Sequence, residues 1–110
     1  MPVLKESATA VLLRGERVKD GFATEPYEAG WASEVVAFVV CVDDGAKGFL
    51  RAQISPDGMN WVGEGAEMAL PAKGQTAFLR LGHFGNWLRF EARLPEGGER
   101  RVTLTLQLKG

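Results

Sequence analysis

"NWLRFEARL", residues 86–94, and "RVTLTLQL", residues 101–108, are the stretches that decide the fold of this chain. Leu88, Phe90, Ala92 and Leu94 alternate with Arg89, Glu91 and Arg93; Val102, Leu104, Leu106 and Leu108 alternate with Thr103, Thr105 and Gln107. A period of two gathers the apolar residues on one face only if the backbone is extended, so both segments read as half-buried strands. "GFLRAQIS" (48–55) repeats the pattern, with Leu50, Ala52 and Ile54 inward and Arg51 and Gln53 outward. "AFLRL" (77–81) is a shorter copy, and "ATAVLL" (8–13) reads as a first strand. "EVVAFVVCV" (34–42) is apolar at both parities, the pattern of a central strand covered on each side.

The breaks between these segments carry turn chemistry. "DDGAKG" (43–48) and "PEGGE" (95–99) read as hairpin connections, and "PAKGQ" (71–75) and "LGHFGN" (81–86) as two further connections. Fourteen glycines and five prolines, placed mostly between strands, leave no room for a helix of ordinary length. Seven or eight short strands predict one all-β domain over 1–110, an antiparallel two-sheet sandwich of jelly-roll-like type. Residues 14–33 hold a short strand or a long connection. Residues 1–13 form an N-terminal strand or an arm exchanged between subunits.

Composition narrows the classes of function. Thirteen basic against fourteen acidic residues give a net charge of −1, which speaks against nucleic acid and against an anionic membrane surface as partners. One cysteine excludes an internal disulfide. Cys41 lies in an apolar run beside acids, where a buried, inert thiol is expected. The N-terminus lacks a basic region followed by a long apolar segment, and no apolar run reaches the length of a membrane span. A protein made in the cytoplasm, present there or in a released particle, is the expectation.

Catalysis finds little footing. His83 is the only histidine, and one histidine with one cysteine cannot supply the usual zinc ligand set. No catalytic residue, metal ligand or cofactor is expected. The carboxylates occur as Asp43–Asp44, Glu64 with Glu67, and Glu96 with Glu99; Asp43, Asp44 and Asp57 could meet around calcium only if their loops share one end of the sandwich.

The outward positions are more informative. Arg51, Arg80, Arg89 and Arg93 fall on the polar parity of their strands, and would form a positive patch around Glu91 if those strands shared a sheet. Phe49, Phe78 and Trp87 share that outward parity, more large aromatics than a wet face ordinarily carries. These seven residues are the candidate interface, to another subunit or to a larger particle. In "ISPDGMNWV" (54–62), Pro56, Asp57 and Gly58 describe a tight turn after Ser55. Trp61 is expected to fold back as a core anchor with its indole N–H on a backbone carbonyl.

Residues 30–110 resemble small all-β proteins encoded by tailed bacteriophages and prophages. Three elements carry the resemblance: Ser55, Asp57, Gly58 and Trp61; then Phe84, Gly85, Trp87 and Arg89; then Thr103 and Thr105. It implies a non-enzymatic structural subunit, a capsid decoration or tail-associated protein that self-associates or docks on a particle. The Ser-x-Asp-Gly-x-x-Trp piece is also similar to one in discoidin-like domains. That similarity implies the alternative of a carbohydrate-binding module, with Trp31 or Trp87 as a stacking platform for a glycan.

Overall fold

The computed structural model describes residues 6–110 and is all-β, as the period of two predicts. Its strands are β1 (Ser7–Lys19), β2 (Tyr27–Glu28), β3 (Glu34–Cys41), β4 (Phe49–Ser55), β5 (Val62–Ala69), β6 (Thr76–Gly82), β7 (Trp87–Arg93) and β8 (Glu99–Lys109). They form two antiparallel four-stranded sheets, in the orders β1-β8-β3-β6 and β2-β7-β4-β5. The first is called the front sheet and the second the back sheet.

The alternating residues meet between the sheets. Leu50 and Ala52 from β4, Leu88, Phe90 and Ala92 from β7, and Val102, Leu104, Leu106 and Leu108 from β8 are all buried. Each large apolar side chain so removed from water contributes about 1.5–3 kcal/mol before chain entropy is counted. Cys41 belongs to this core at 0% exposure. Burial pushes its thiol pKa up, against a lowering by nearby Arg100, and Asp43 raises it further.

Two local readings differ from the structure, and one strand escapes the pattern altogether. Segments 43–48 and 95–99 are not hairpins: each carries the chain from one sheet to the other, because β3 and β8 lie in the front sheet and β4 and β7 in the back. Glycine and aspartate permit a reversal of direction, but the next strand's pairing is chosen by the core. The outer face of β3 is not covered either. Val36, Phe38 and Val40 are only half-buried there, shielded by neighbouring strands, and no described residue forms a further layer over them. Lastly, "VGEGAEMA" (62–69) is a full strand whose two glycines and two glutamates mask its pattern.

Residues 14–33 pack on the domain. β1 continues to Lys19 beside β8, with two register shifts between Val11 and Glu16. The chain then runs along β7: Gly21 N–H donates to Ala92 O at 2.8 Å, and Thr24 N–H to Phe90 O at 2.9 Å. Buried Thr24 returns the contact, its Oγ1 accepting from Phe90 N–H at 3.0 Å. Of the expected N-terminal strand or arm, residues 7–13 lie in β1 paired with β8; residues 1–5 lie outside the described residues.

Candidate functional site

The single connection between strands of one sheet that pair with each other in sequence is β4 to β5, and it carries the "SPDG" turn. Ser55 Oγ accepts from Asp57 N–H at 3.2 Å and Gly58 N–H at 2.8 Å, and donates to Asp57 Oδ1 at 3.0 Å. Asp57 Oδ1 also accepts from Met59 N–H and Asn60 N–H, both at 2.9 Å, while its Oδ2 accepts from Asn60 Nδ2 at 2.7 Å. Gly58 adopts φ 79°, and a Cβ there would stand 3.2 Å from the Trp87 ring. The motif is therefore a self-contained hairpin turn whose glycine also seats Trp87.

Those donors hold the Asp57 carboxyl far below the usual carboxylate range, the backbone N–H groups of Asn60 and Met59 contributing most and the Asn60 and Ser55 side chains adding to them. A folded-state pKa below the unfolded value means that the folded chain binds fewer protons as pH falls. The turn's contribution is thus complete above the unfolded value of about 3.9 and is lost as pH drops below it. The urea midpoint should fall more between about pH 5 and about pH 2.5 in the natural chain than in Asp57→Asn. Identical acid slopes in the two proteins would contradict this account.

Trp61 departs from its expected place. It lies outside the buried core, half-exposed, with the Arg89 guanidinium 4.4 Å from its ring centroid. Val62 pairs with Ile54, an inward position of β4, so Trp61 just before it takes the opposite parity and lies on the outer face beside Arg89.

The arginines divide between two faces. Arg51, Arg89 and Arg93 lie on the back sheet, and each is engaged locally: Arg51 with Glu67 at 4.0 Å, Arg93 with Asp20 at 3.6 Å and Glu91 at 3.7 Å, Arg89 with Gln53 Oε1 at 2.7 Å. The ion pairs of Arg51 and Arg93 contribute up to about 1 kcal/mol each and neutralise those two, while Arg89, bonded to an uncharged amide, keeps its positive charge on the solvated face. Arg80 lies on the front sheet beside Phe78, its guanidinium 5.2 Å from that ring. One four-arginine patch is excluded by strand order, since β6 belongs to the other sheet.

The aromatics divide likewise. Phe49 is half-buried on the back sheet with Arg51 5.8 Å from its ring centroid, and Trp87 is half-buried against Gly58. Phe78 is 52% exposed on the front sheet. There it completes a cross-strand row that pattern reading missed: Val11, Thr105, Phe38 and Phe78 are successive Cα partners across β1, β8, β3 and β6. Phe38 and Phe78 stand 6.2 Å apart at 38°. The rows on either side hold Val36 with Gln107 and Val40 with Thr103. The signal lies in the apolar outward parity of "EVVAFVVCV", which marks an exposed apolar face and not a strand covered on each side.

One end of the sandwich gathers the 29–33 and 82–86 loops and the 55–61 turn, since Glu34 pairs with Gly82 and Ser55 with Trp87. Trp31, Trp61 and Trp87 therefore share that end. A shallow cleft of about 410 Å³ opens there between Ile54, Pro56, Val62, His83 and Phe84. His83 at its rim is exposed and has φ 53°, the one non-glycine positive φ among the described residues.

Asp43 and Asp44 follow β3 at the opposite end, so Asp57 cannot join them around a cation. Among the described residues no group of three or more His, Cys, Asp or Glu could hold a metal ion. His83 and Cys41 also lie at opposite ends of the front sheet, one exposed and one fully buried. Of the other paired acids, Glu64 accepts from Ala66 N–H at 3.0 Å, Glu67 pairs with Arg51, and Glu99 pairs with Arg17 and Lys19.

Sequence reasoning also missed Arg100, which is 3% exposed. It occupies the inward parity of β8, two residues before Val102, a signal that was present. Its guanidinium donates to the carbonyls of Asp43 at 3.1 Å, Ala46 at 3.1 Å and Pro71 at 2.7 Å, and lies 3.4 Å from Asp43 Oδ1. It thereby ties two sheet-crossing loops together at the end away from the tryptophans.

The fold is shared with prophage proteins. A crystal structure of the SPBc2 prophage-derived protein YomS matches at TM-score 0.68 and 8% identity, covering 100% of this chain and 98% of that one. A crystal structure of the PBSX exported protein XepA matches at TM-score 0.60 and 15% identity over 96% of this chain, which spans 36% of XepA. No protein-family model matches the chain, and no curated protein sequence does. At these identities the likeness is one of fold.

Proposed function

We propose that this chain is a non-enzymatic structural subunit of a phage-like particle or comparable assembly, a capsid decoration or tail-associated protein that works by self-association or docking. The observation that carries this reading is the uncovered row Val11–Thr105–Phe38–Phe78 on the front sheet. Valines and two phenylalanines on an outer sheet face lose water favourably only when another surface covers them. The prophage neighbours of the same fold agree with it. The strand order, in which the two sheets exchange the chain at six of seven connections, supports the jelly-roll-like form of the sandwich.

The test is the solution mass by light scattering over a hundredfold range of concentration. A species larger than the 11.9 kDa chain is expected, and Phe78→Asp should disperse it without altering the β-sheet circular dichroism. A strict monomer throughout would remove self-association. Phe78 is the informative position, because Trp87 is packed on the Gly58 turn and its loss would disturb the hairpin.

A carbohydrate-binding module is the second reading, favoured by the gathering of Trp31, Trp61 and Trp87 at one end beside the 410 Å³ cleft. Indole faces next to polar groups suit the apolar face and hydroxyl rim of a sugar ring. A glycan array blank at high protein concentration would dismiss it.

A further inference from the structure

We infer that the outer face of the front sheet packs against the same face of a second copy, across a two-fold axis running along the strands between β8 and β3. This rests on the self-association reading above and specifies its partner and geometry. The two central strands of the sheet, β8 and β3, are paired in register with Glu34 opposite Lys109. Val35 and Leu108 beside them are buried, so both charged side chains stand on the outer face and are exposed.

A two-fold axis midway between these strands exchanges β8 with β3 and β1 with β6. Lys109 of each copy then meets Glu34 of the other, twice per pair. In the middle row Phe38 meets Thr105 and Phe78 meets Val11, so each large ring faces a smaller side chain. Arg80 meets Thr9, its counterpart in the next row. No two like charges are brought face to face from the Glu34 row to the Val40 row. Self-complementarity of this kind is what an isologous contact requires, and it selects a second copy over a foreign protein.

The dimensions fit. Four strands about 4.8 Å apart and nine residues at about 3.4 Å each outline a face of roughly 19 by 30 Å. Its side-chain relief raises the accessible area toward the roughly 800 Å² per partner of stable complexes. Packed sheets are inclined by about 30°, which moves the end rows sideways by a few ångströms, within the reach of lysine and glutamate.

The experiment compares the natural chain with Glu34→Lys and Lys109→Glu by sedimentation equilibrium, each alone and mixed in equal amounts. Either reversal sets like charges opposite each other at both symmetric contacts, so each variant alone should dissociate at least about tenfold more readily. The mixture should recover the natural mass, because the lysine introduced at position 34 then faces the glutamate introduced at position 109. Both positions are exposed, and circular dichroism checks that each variant keeps its fold. An oligomer indifferent to both reversals, or weakened by both without recovery on mixing, overturns this face while self-association stands. A natural chain that is monomeric at every concentration overturns self-association itself.

Discussion

Arg100→Ala should lower the unfolding free energy by about 3 kcal/mol, read as a shift of the urea midpoint at unchanged slope. The guanidinium is buried, yet it is satisfied by three backbone carbonyls and a carboxylate drawn from loops that join opposite sheets. Alanine leaves those carbonyls without their donors and opens a space where a planar cation had filled the end of the core. Asp43 is 42% exposed at its side chain and can regain water, which keeps the loss near the lower limit for breaking a buried pair. Arg100→Lys should recover only part of the stability, since one ammonium group cannot span acceptors on Asp43, Ala46 and Pro71. A midpoint unmoved by Arg100→Ala would show that the loops hold together without it.

The second large effect separates two phenylalanines that the same strand-like pattern presents. Phe90→Ala should cost about 3–5 kcal/mol, because Phe90 is 0% exposed between the sheets and the cavity left behind cannot close fully. Phe78→Ala should cost about 1 kcal/mol or less to the folded monomer, losing little beyond its tilted contact with Phe38. Its effect should appear instead in the concentration dependence of the mass. Equal losses of stability in the two variants would mean that the front-sheet face is part of the monomer's own packing. A loss confined to Phe90, with association weakened only in Phe78→Ala, is the expected separation of core from interface.

The turn at Ser55–Gly58 shows how far local chemistry reaches. A serine and an aspartate two residues apart, followed by glycine, satisfy their own backbone whatever surrounds them, so the hairpin was legible residue by residue. Trp61, three residues later, was not. Whether its indole enters the core or lies under Arg89 depends on the register in which β5 pairs with β4, and nothing within the segment states that.

What the sequence determined by itself was the extended backbone and the inward set: Leu88, Phe90 and Ala92, or Leu104, Leu106 and Leu108, can share a face only in a strand, because the side-chain period of two is a local property. It also determined where the chain turns. What the tertiary structure alone decided was which strands are neighbours. That choice moved Arg80 and Phe78 away from the other arginines, turned two supposed hairpins into sheet crossings, and brought Val11, Thr105, Phe38 and Phe78 into one row from positions up to 94 residues apart. Pairing is settled by the packing of two whole sheets over a common core, a free energy summed over the domain, and so no single stretch carries it.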